Sequence, residues 1–362
     1  MMPKLKIGDF EATLPIIQGG MGVGISMSGL ASSVAEAGGI GVIASVGLGA
    51  FESDIHDNFK LANIRALRRE IKKARSKTKG ILGVNIMGAL TDFNSHVETV
   101  IEEGIDLIFL GAGLPLKKPK KFDLNFLKNM PTKIVPKISS ARAAQVIFKY
   151  WAKNYNHVPD AVVVEGPLAG GHLGFKREQL NDISYSLEKL VVDVIAVLKP
   201  YVDKFNKNIP VIAGGGIYTG VDICKFLKLG VQGVMMGTRF VATKECDATD
   251  AFKKMYVNSE ENDLEIINSP VGLPGRVINN KFVDDIKSGV LKPFRCAWQC
   301  LKTCDFKSAP YCIAEALYNA KIGNLKQGFA FAGANAYRVD KILSVKELIE
   351  ILKKEYQLAA AS

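Results

Sequence analysis

The chain has 362 residues, of which 48% are hydrophobic, 8% aromatic and 23% charged, the balance of a globular protein with one large core, which excludes a disordered or fibrous chain. Its 47 Lys+Arg against 36 Asp+Glu leave +11 at pH 7. The basic residues fall in short runs (Arg68-Arg69, Lys72-Lys73, Lys117-Lys118, Lys120-Lys121) without interleaved aromatics, so they read as solvated faces and no nucleic-acid partner is expected.

Residues 1–10 alternate lysines with single apolar residues and contain no h-region, and the most apolar stretch, 39–51, is short and glycine-rich. Neither a signal peptide nor a membrane span is expected, and a cytoplasmic location is. Apolar runs rich in Val and Ile then follow at 14–18, 40–45, 81–86, 107–111, 133–138, 161–165, 210–213 and 233–236, with 3.6-period segments at 28–37, 64–74, 94–103, 141–151, 187–202 and 220–229. Continuous apolar strands covered on both faces and joined by helices make parallel βαβ units. Eight of them predict an α/β fold, a (β/α)8 TIM barrel over 1–243; an open doubly wound sheet fits less well, because no G-x-G-x-x-G follows the first strand. Residues 244–335 lack that alternation and are expected to form a cap of helices and loops over the strand-end face. Residues 336–362 return to the barrel, with an amphipathic helix at 339–355 and a frayed tail at 359–362.

Ligand-binding residues of such a barrel follow the strands. Here the strand ends carry Gln18-Gly19-Gly20-Met21, Ser45, Asn85, Lys137, Glu165, Gly214-Gly215-Gly216 and Gly237-Thr238. The last two groups occupy the loops of the usual barrel phosphate site, where glycines let backbone N–H groups approach an anion; a flavin mononucleotide or a sugar phosphate would serve, and plain tight turns are the alternative. His172 follows Gly170-Gly171 after the sixth predicted strand. An imidazole there suits a general base, against the alternative of a loop histidine that only hydrogen-bonds. Lys137 offers a cation to balance a phosphate or reduced flavin, or a Schiff-base amine. Asn85 and Gln18 offer neutral donors and acceptors for a heterocycle edge. His56, His96 and His157 are given no role.

Taken in order, Ile16-Ile17-Gln18-Gly19-Gly20-Met21, Gly83-Val84-Asn85, Glu165-Gly166, Gly170-Gly171-His172-Leu173-Gly174, Gly214-Gly215-Gly216-Ile217 and Met236-Gly237-Thr238-Arg239-Phe240 resemble the nitronate monooxygenases. The related flavin-dependent enoyl-ACP reductases share much of this set. The resemblance implies an FMN-containing barrel in which Gln18, Gly20, Met21, Asn85 and Lys137 line the isoalloxazine. It places Gly215, Gly216, Gly237 and Thr238 at the phosphate, Gly19, Gly171 and Gly214 in the same loops, and His172 at the catalytic position. The segment from Ser269 to Arg276, with two prolines and two glycines, resembles the cap loop these enzymes place near substrate. An inert turn is the alternative for a segment of this composition; otherwise Ser269 and Arg276 are candidate substrate residues, Arg276 for orienting an anionic group.

One segment departs from the resemblance. Four of the six cysteines fall at Cys296, Cys300, Cys304 and Cys312. On a helix the first three would share one face. They are candidate ligands of an iron–sulfur cluster or zinc, although the spacing matches neither a ferredoxin run nor paired zinc knuckles; packed apolar thiols and a redox pair are the alternatives.

The resemblance favours an FMN-dependent oxidoreductase that converts a small-molecule substrate, an alkyl nitronate, with O2 to a carbonyl compound and nitrite. The alternative is NAD(P)H-dependent reduction of an enoyl thioester or quinone, with an acyl carrier protein as partner of the basic surface. A metal-bearing redox-sensing barrel is a third possibility, and a homo-oligomer is compatible with all three.

Overall fold

The computed structural model describes residues 1–116, 125, 129–296 and 298–361; Lys117-Lys118 and Lys120-Lys121 lie outside them. The chain begins with an antiparallel hairpin, β1 (Leu5–Ile7) and β2 (Phe10–Ala12). The alternation of Lys4 and Lys6 with Leu5 and Ile7 is thus a strand pattern with one wet face.

Eight parallel strands follow: β3 (Ile16–Gln18), β4 (Gly41–Ala44), β5 (Leu82–Met87), β6 (Leu107–Gly111), β7 (Lys133–Ile138), β8 (Val162–Glu165), β10 (Val211–Gly214) and β11 (Gly233–Met236), with β9 (Gly171–His172) standing outside the sheet. Each pairs with its neighbour in chain order, and β11 returns to β3. A parallel bridge between Ile17 and Ile40 closes the ring, with Gln18 N–H donating to Ile40 O and Ile40 N–H to Ile16 O, both at 2.9 Å. The fold is the (β/α)8 barrel that the apolar runs predict.

Alternation along the strands sorts the side chains into two shells. Ile17, Val42, Phe109, Val135, Val163, Ile212 and Met235 form one buried cluster inside the ring, joined by Leu5 and Ile7. The N-terminal hairpin therefore plugs one end of the barrel; a Cβ on Gly233, the first residue of β11, would lie 2.8 Å from the Leu5 side chain. The other strand residues, such as Ile16, Ile43, Val84, Ile108, Val162 and Val234, pack outward against the helices.

The helices differ from the predicted spans mainly at their ends. Phe59–Arg75 starts upstream of the expected 64, and the last helix is Val345–Ala361, beginning after the expected 339 and continuing as far as 361 into the tail expected to fray. Its start is set by a capping box: Ser344 Oγ accepts from Glu347 N–H, and the Glu347 carboxylate accepts from Ser344 N–H. Residues just before it serve the barrel instead, through a bridge between Leu343 and Thr243.

The cap is not made of helices and loops alone. β12 (Leu264–Asn268), β13 (Pro274–Ile278) and β14 (Ala330–Phe331) form an antiparallel sheet, and the barrel loop contributes β9 to it. Ile267, Val277, Phe282, Tyr311 and Phe329 form its core. Residues 288–312 contain no helix or strand among the described residues, so the cysteines do not share the helical face their spacing suggests. Among the described residues, no helix is long and apolar enough to cross a membrane.

Candidate active site

The period-2 alternation that fills the barrel also builds its mouth. Val135 and Val163 point inward, as does Gly83, where a Cβ would meet the Phe109 ring at 2.6 Å. Two residues further on, Lys137, Glu165 and Asn85 must therefore also point inward. They form a polar layer above the apolar floor. Lys137 Nζ and Glu165 Oε1 pair at 2.8 Å. Asn85 is 9% exposed and its Oδ1 has no hydrogen-bond partner, nor does the buried Ser45 Oγ on the neighbouring strand end. A buried polar atom left unpaired in a native fold calls for an explanation, and Asn85 Oδ1 on the inward phase at the barrel mouth fits a polar heterocycle lying over it, whereas Ser45 follows the outward phase of Ile43.

The same alternation sends Gln18 the other way. Its neighbour Ile17 points inward, and Gln18 is fully buried between strands. Its Oε1 accepts from Val42 N–H at 2.9 Å, and its Nε2 donates to Val42 O at 3.2 Å and to Gly19 O. The amide stitches β3 to β4 where the backbone ladder has a single bridge, so the structure does not place Gln18 beside Asn85 and Lys137.

Gly215 and Gly216 adopt φ of +98° and +84°. A Cβ on Gly215 would lie 3.0 Å from Gly166 O and Ala169 N, so the loop after β10 runs against the loop after β8. The nearest atom to a Cβ on Gly237 is Met21 Sδ at 3.7 Å, which brings the first and last strand loops together. A Cβ on Gly171 would meet nothing within 4 Å, leaving open space beside His172. A third segment covers the phosphate-type loops: Gly333 N–H donates to Thr238 Oγ1 at 2.9 Å, and Asn335 Nδ2 to Gly216 O at 2.6 Å. Sequence reading missed this segment; its only local signal is the Gly-Ala-Asn turn composition at 333–335.

His172 reaches the site through pairing that no local pattern shows. In β9 it lies opposite Gly275 of β13, and Gly171 lies opposite Arg276. Its Nε2 is 2.7 Å from Ser269 Oγ, and its ring meets Phe331 edge-on with centroids 4.9 Å apart. Burial lowers its pKa from 6.5 to about 4, so the imidazole is neutral at pH 7 and able to take a proton. Ser269 thus stands beside His172. Arg276 is engaged elsewhere: its Nη1 donates to Pro167 O at 2.8 Å and Ala169 O at 2.7 Å. It is 8% exposed, and burial lowers its pKa to about 10. Its geometry is that of a clamp on the loop carrying His172 rather than of a free anion-binding group.

The cysteine segment lies on the loop after β5. Leu301 bridges Leu90, Thr91 N–H donates to Cys300 O at 3.1 Å and Lys302 N–H to Ala89 O at 2.9 Å. Among the described residues, no three His, Cys, Asp or Glu side chains stand together as ready metal ligands. Of the other histidines, His96 Nε2 lies 3.0 Å from Asp92 Oδ2 in the core and His56 packs against Trp298.

A polar layer with an unpaired acceptor, glycine loops after the seventh and eighth barrel strands, and a neutral, partly buried histidine beneath the cap sheet make the strand-end mouth of the barrel the candidate site. The chain belongs to the nitronate monooxygenase family, whose model matches residues 4–355. It is 29% identical over 275 residues to a (3aS,4S,5R,7aS)-5-hydroxy-7a-methyl-1-oxo-octahydro-1H-indene-4-carboxyl-CoA dehydrogenase of Mycobacterium tuberculosis, covering 76% of this chain and 66% of that one. A probable nitronate monooxygenase of Staphylococcus aureus is 27% identical over 311 residues, covering 75% of this chain and 77% of the relative. Among solved structures, FabK of Thermotoga maritima is 29% identical with a TM-score of 0.74, covering 96% and 94% of the two chains. A nitroalkane oxidase of Streptomyces ansochromogenes shares the fold at 20% identity, with a TM-score of 0.72 over 97% of each chain.

Proposed function

We propose that the protein is an FMN-dependent oxidoreductase that oxidises alkyl nitronates with O2 to carbonyl compounds and nitrite, and that His172 is its base. The observation that carries this reading is the half-buried, neutral imidazole of His172, hydrogen-bonded to Ser269 and flanked by open space at Gly171. FMN supplies reversible electron acceptance when bound. Asn85, Lys137 and Met21 would meet its ring system, and the backbone at Gly215, Gly216, Gly237 and Thr238 its phosphate.

In this reading His172 removes the α-proton of a neutral nitroalkane, and Phe331, edge-on to the imidazole, covers one side of the ring at which the proton is taken up. If Ser269 accepts from Nε2–H, the other ring nitrogen, Nδ1, is left as the free base. A substrate that arrives already as the anion needs no base, and His172 then only holds it. Lys137, held by Glu165, contributes the positive charge of the layer.

A second reading, reduction of an enoyl thioester by NAD(P)H, is supported by the 29% identity to FabK over nearly the whole chain; an acyl carrier protein would then be a partner. One experiment separates the two. The yellow protein is mixed without oxygen with NADPH, and separately with a nitronate. Bleaching by the nitronate alone supports the first reading, bleaching by NADPH followed by recovery on a crotonyl thioester supports the second, and colourless protein that binds no added FMN overturns both.

A further inference from the structure

The cap holds a cavity of about 560 Å³, within the range of roughly 300–1,000 Å³ usual for small-molecule sites. Ile267 of β12, Phe282 of the helix Lys281–Lys287, Tyr311 and Phe329 line it, together with Arg177, downstream of His172, and the charged residues Glu265 and Lys287. None of these residues is a barrel strand end, and the oxidoreductase reading uses none of them.

Its walls are chemically specific. The Phe282 and Tyr311 rings meet at 5.3 Å and 89°, and those of Tyr311 and Phe329 at 6.0 Å and 87°. Rings that hold one another edge-on form a preformed aromatic wall. Tyr311 is 2% exposed, and its hydroxyl has no hydrogen-bond partner. Burial raises its pKa, so it remains a donor, and a buried donor without an acceptor calls for an explanation. The charges do not cancel either. Lys287 Nζ is matched by Glu265 Oε2 at 2.6 Å, whereas Arg177 donates only to Ile266 O, at 3.2 Å, and among the described residues no carboxylate pairs with it.

We propose that this cavity is a second ligand site, taking a carboxylate that carries an aromatic ring. The ring packs on Phe282 and Phe329, Arg177 pairs with the carboxylate, and the Tyr311 hydroxyl finds its acceptor on the ligand. The site communicates with His172. Cross-strand partners share a face of a sheet, as do residues two apart, so Ile267, Gly275, Val277, Phe331 and His172 all lie on one face of the cap sheet. Phe329 meets Phe331 at 5.2 Å, and Phe331 meets His172 at 4.9 Å. A ligand that shifts Phe329 is therefore felt at the imidazole.

The test is calorimetric titration of the full chain with naphthoate and, separately, with the neutral naphthamide. Naphthoate should bind once per chain, and naphthamide about tenfold more weakly. Arg177→Met should weaken naphthoate by about tenfold and Tyr311→Phe by about fivefold, the scale of one charged and one neutral hydrogen bond. Ile286→Trp, which fills the cavity from the helix Lys281–Lys287, should abolish binding with far-UV circular dichroism unchanged. Arg142→Met, removing an exposed charge from the helix Ala141–Tyr155, should change nothing. A wild-type Kd above about 10 mM, which is no specific affinity, overturns the proposal. Naphthoate affinity unchanged in both Arg177→Met and Tyr311→Phe overturns it too, because the anion then binds elsewhere. At saturation the His172 ring resonances, assigned with His172→Asn, should move in NMR spectra; fixed resonances overturn the communication. The readout is binding rather than turnover, so it stands or falls separately from the oxidoreductase reading.

Discussion

Gly275 and His172 are paired backbone to backbone, although one belongs to the cap and the other to a barrel loop. A Cβ at position 275 would come 2.8 Å from the Phe331 ring, the same ring that meets the His172 imidazole edge-on. Gly275→Ala should therefore displace Phe331 and, through it, His172. We expect kcat to fall by about tenfold or more, as a displacement near 1 Å at a reacting group can cause, with KM and flavin content changed far less. Steady-state kinetics beside the flavin absorbance check this, and unchanged kcat would show that the ring has room to move.

His172→Asn separates the two substrate forms. Turnover of a neutral nitroalkane should fall by on the order of 10²-fold or more, the usual contribution of a positioned base, while turnover of the preformed nitronate falls much less. Equal and small losses for both would remove His172 from proton transfer.

The acid limb of the pH profile should lie well below the ordinary histidine value, because burial holds the His172 pKa near about 4. Activity on neutral nitroalkanes should persist at pH 5.5 to 6, where an unperturbed imidazole would already be protonated. Stability carries the opposite sign. Between pH 6.5 and about 4 the unfolded chain takes up a proton that the folded chain refuses, so stability falls with falling pH by an amount on the order of 3 kcal/mol and then levels off. Melting curves at pH 7 and pH 5 should show a larger drop for the wild type than for His172→Asn.

Gln18→Leu tests the seam of the barrel. The change leaves Val42 N–H and Val42 O unpaired in a buried position, each worth about 1–3 kcal/mol, at the point where β3 and β4 share one backbone bridge. The expected result is a Tm lowered by several degrees. An unchanged Tm together with weakened flavin binding would instead make Gln18 a ligand contact.

The barrel was legible because parallel strands covered on both faces leave uninterrupted apolar runs. Leu107–Gly111, Lys133–Ile138 and Gly233–Met236 form at the positions their runs predict. The cap sheet was not legible. β12 is only partly buried, β13 opens on Pro274, and β9 is two residues long; β12 and β13 form a local hairpin, but the sheet is completed by the short β14 and by β9, about a hundred residues away in the chain. The same separation hides the role of Arg276, whose partners are the carbonyls of Pro167 and Ala169. Gln18 ends a strand, as Glu165 does and Lys137 nearly does, but falls on the opposite phase of the alternation, which strand-end position alone does not reveal. The cysteine spacing suggested a helix because four-residue intervals do so by themselves, and here no apolar stripe or cap accompanies them.

The interleaving of β9 with β13 constrains how the enzyme can breathe. A lid joined only by hinges can swing clear and leave the reacting groups on the barrel. Here the strand that the lid would have to release carries the histidine itself, and Arg276 grips the loop behind it. Any large excursion of the cap would separate His172 from Ser269 and Gly275 along with opening the enclosure, and under the proposed reading it would take the base out of place. Traffic of small molecules must therefore pass through side-chain movements around Gly171 and the turn at 269–273, and a bulky substrate would be admitted only at the expense of proton transfer while the passage is open.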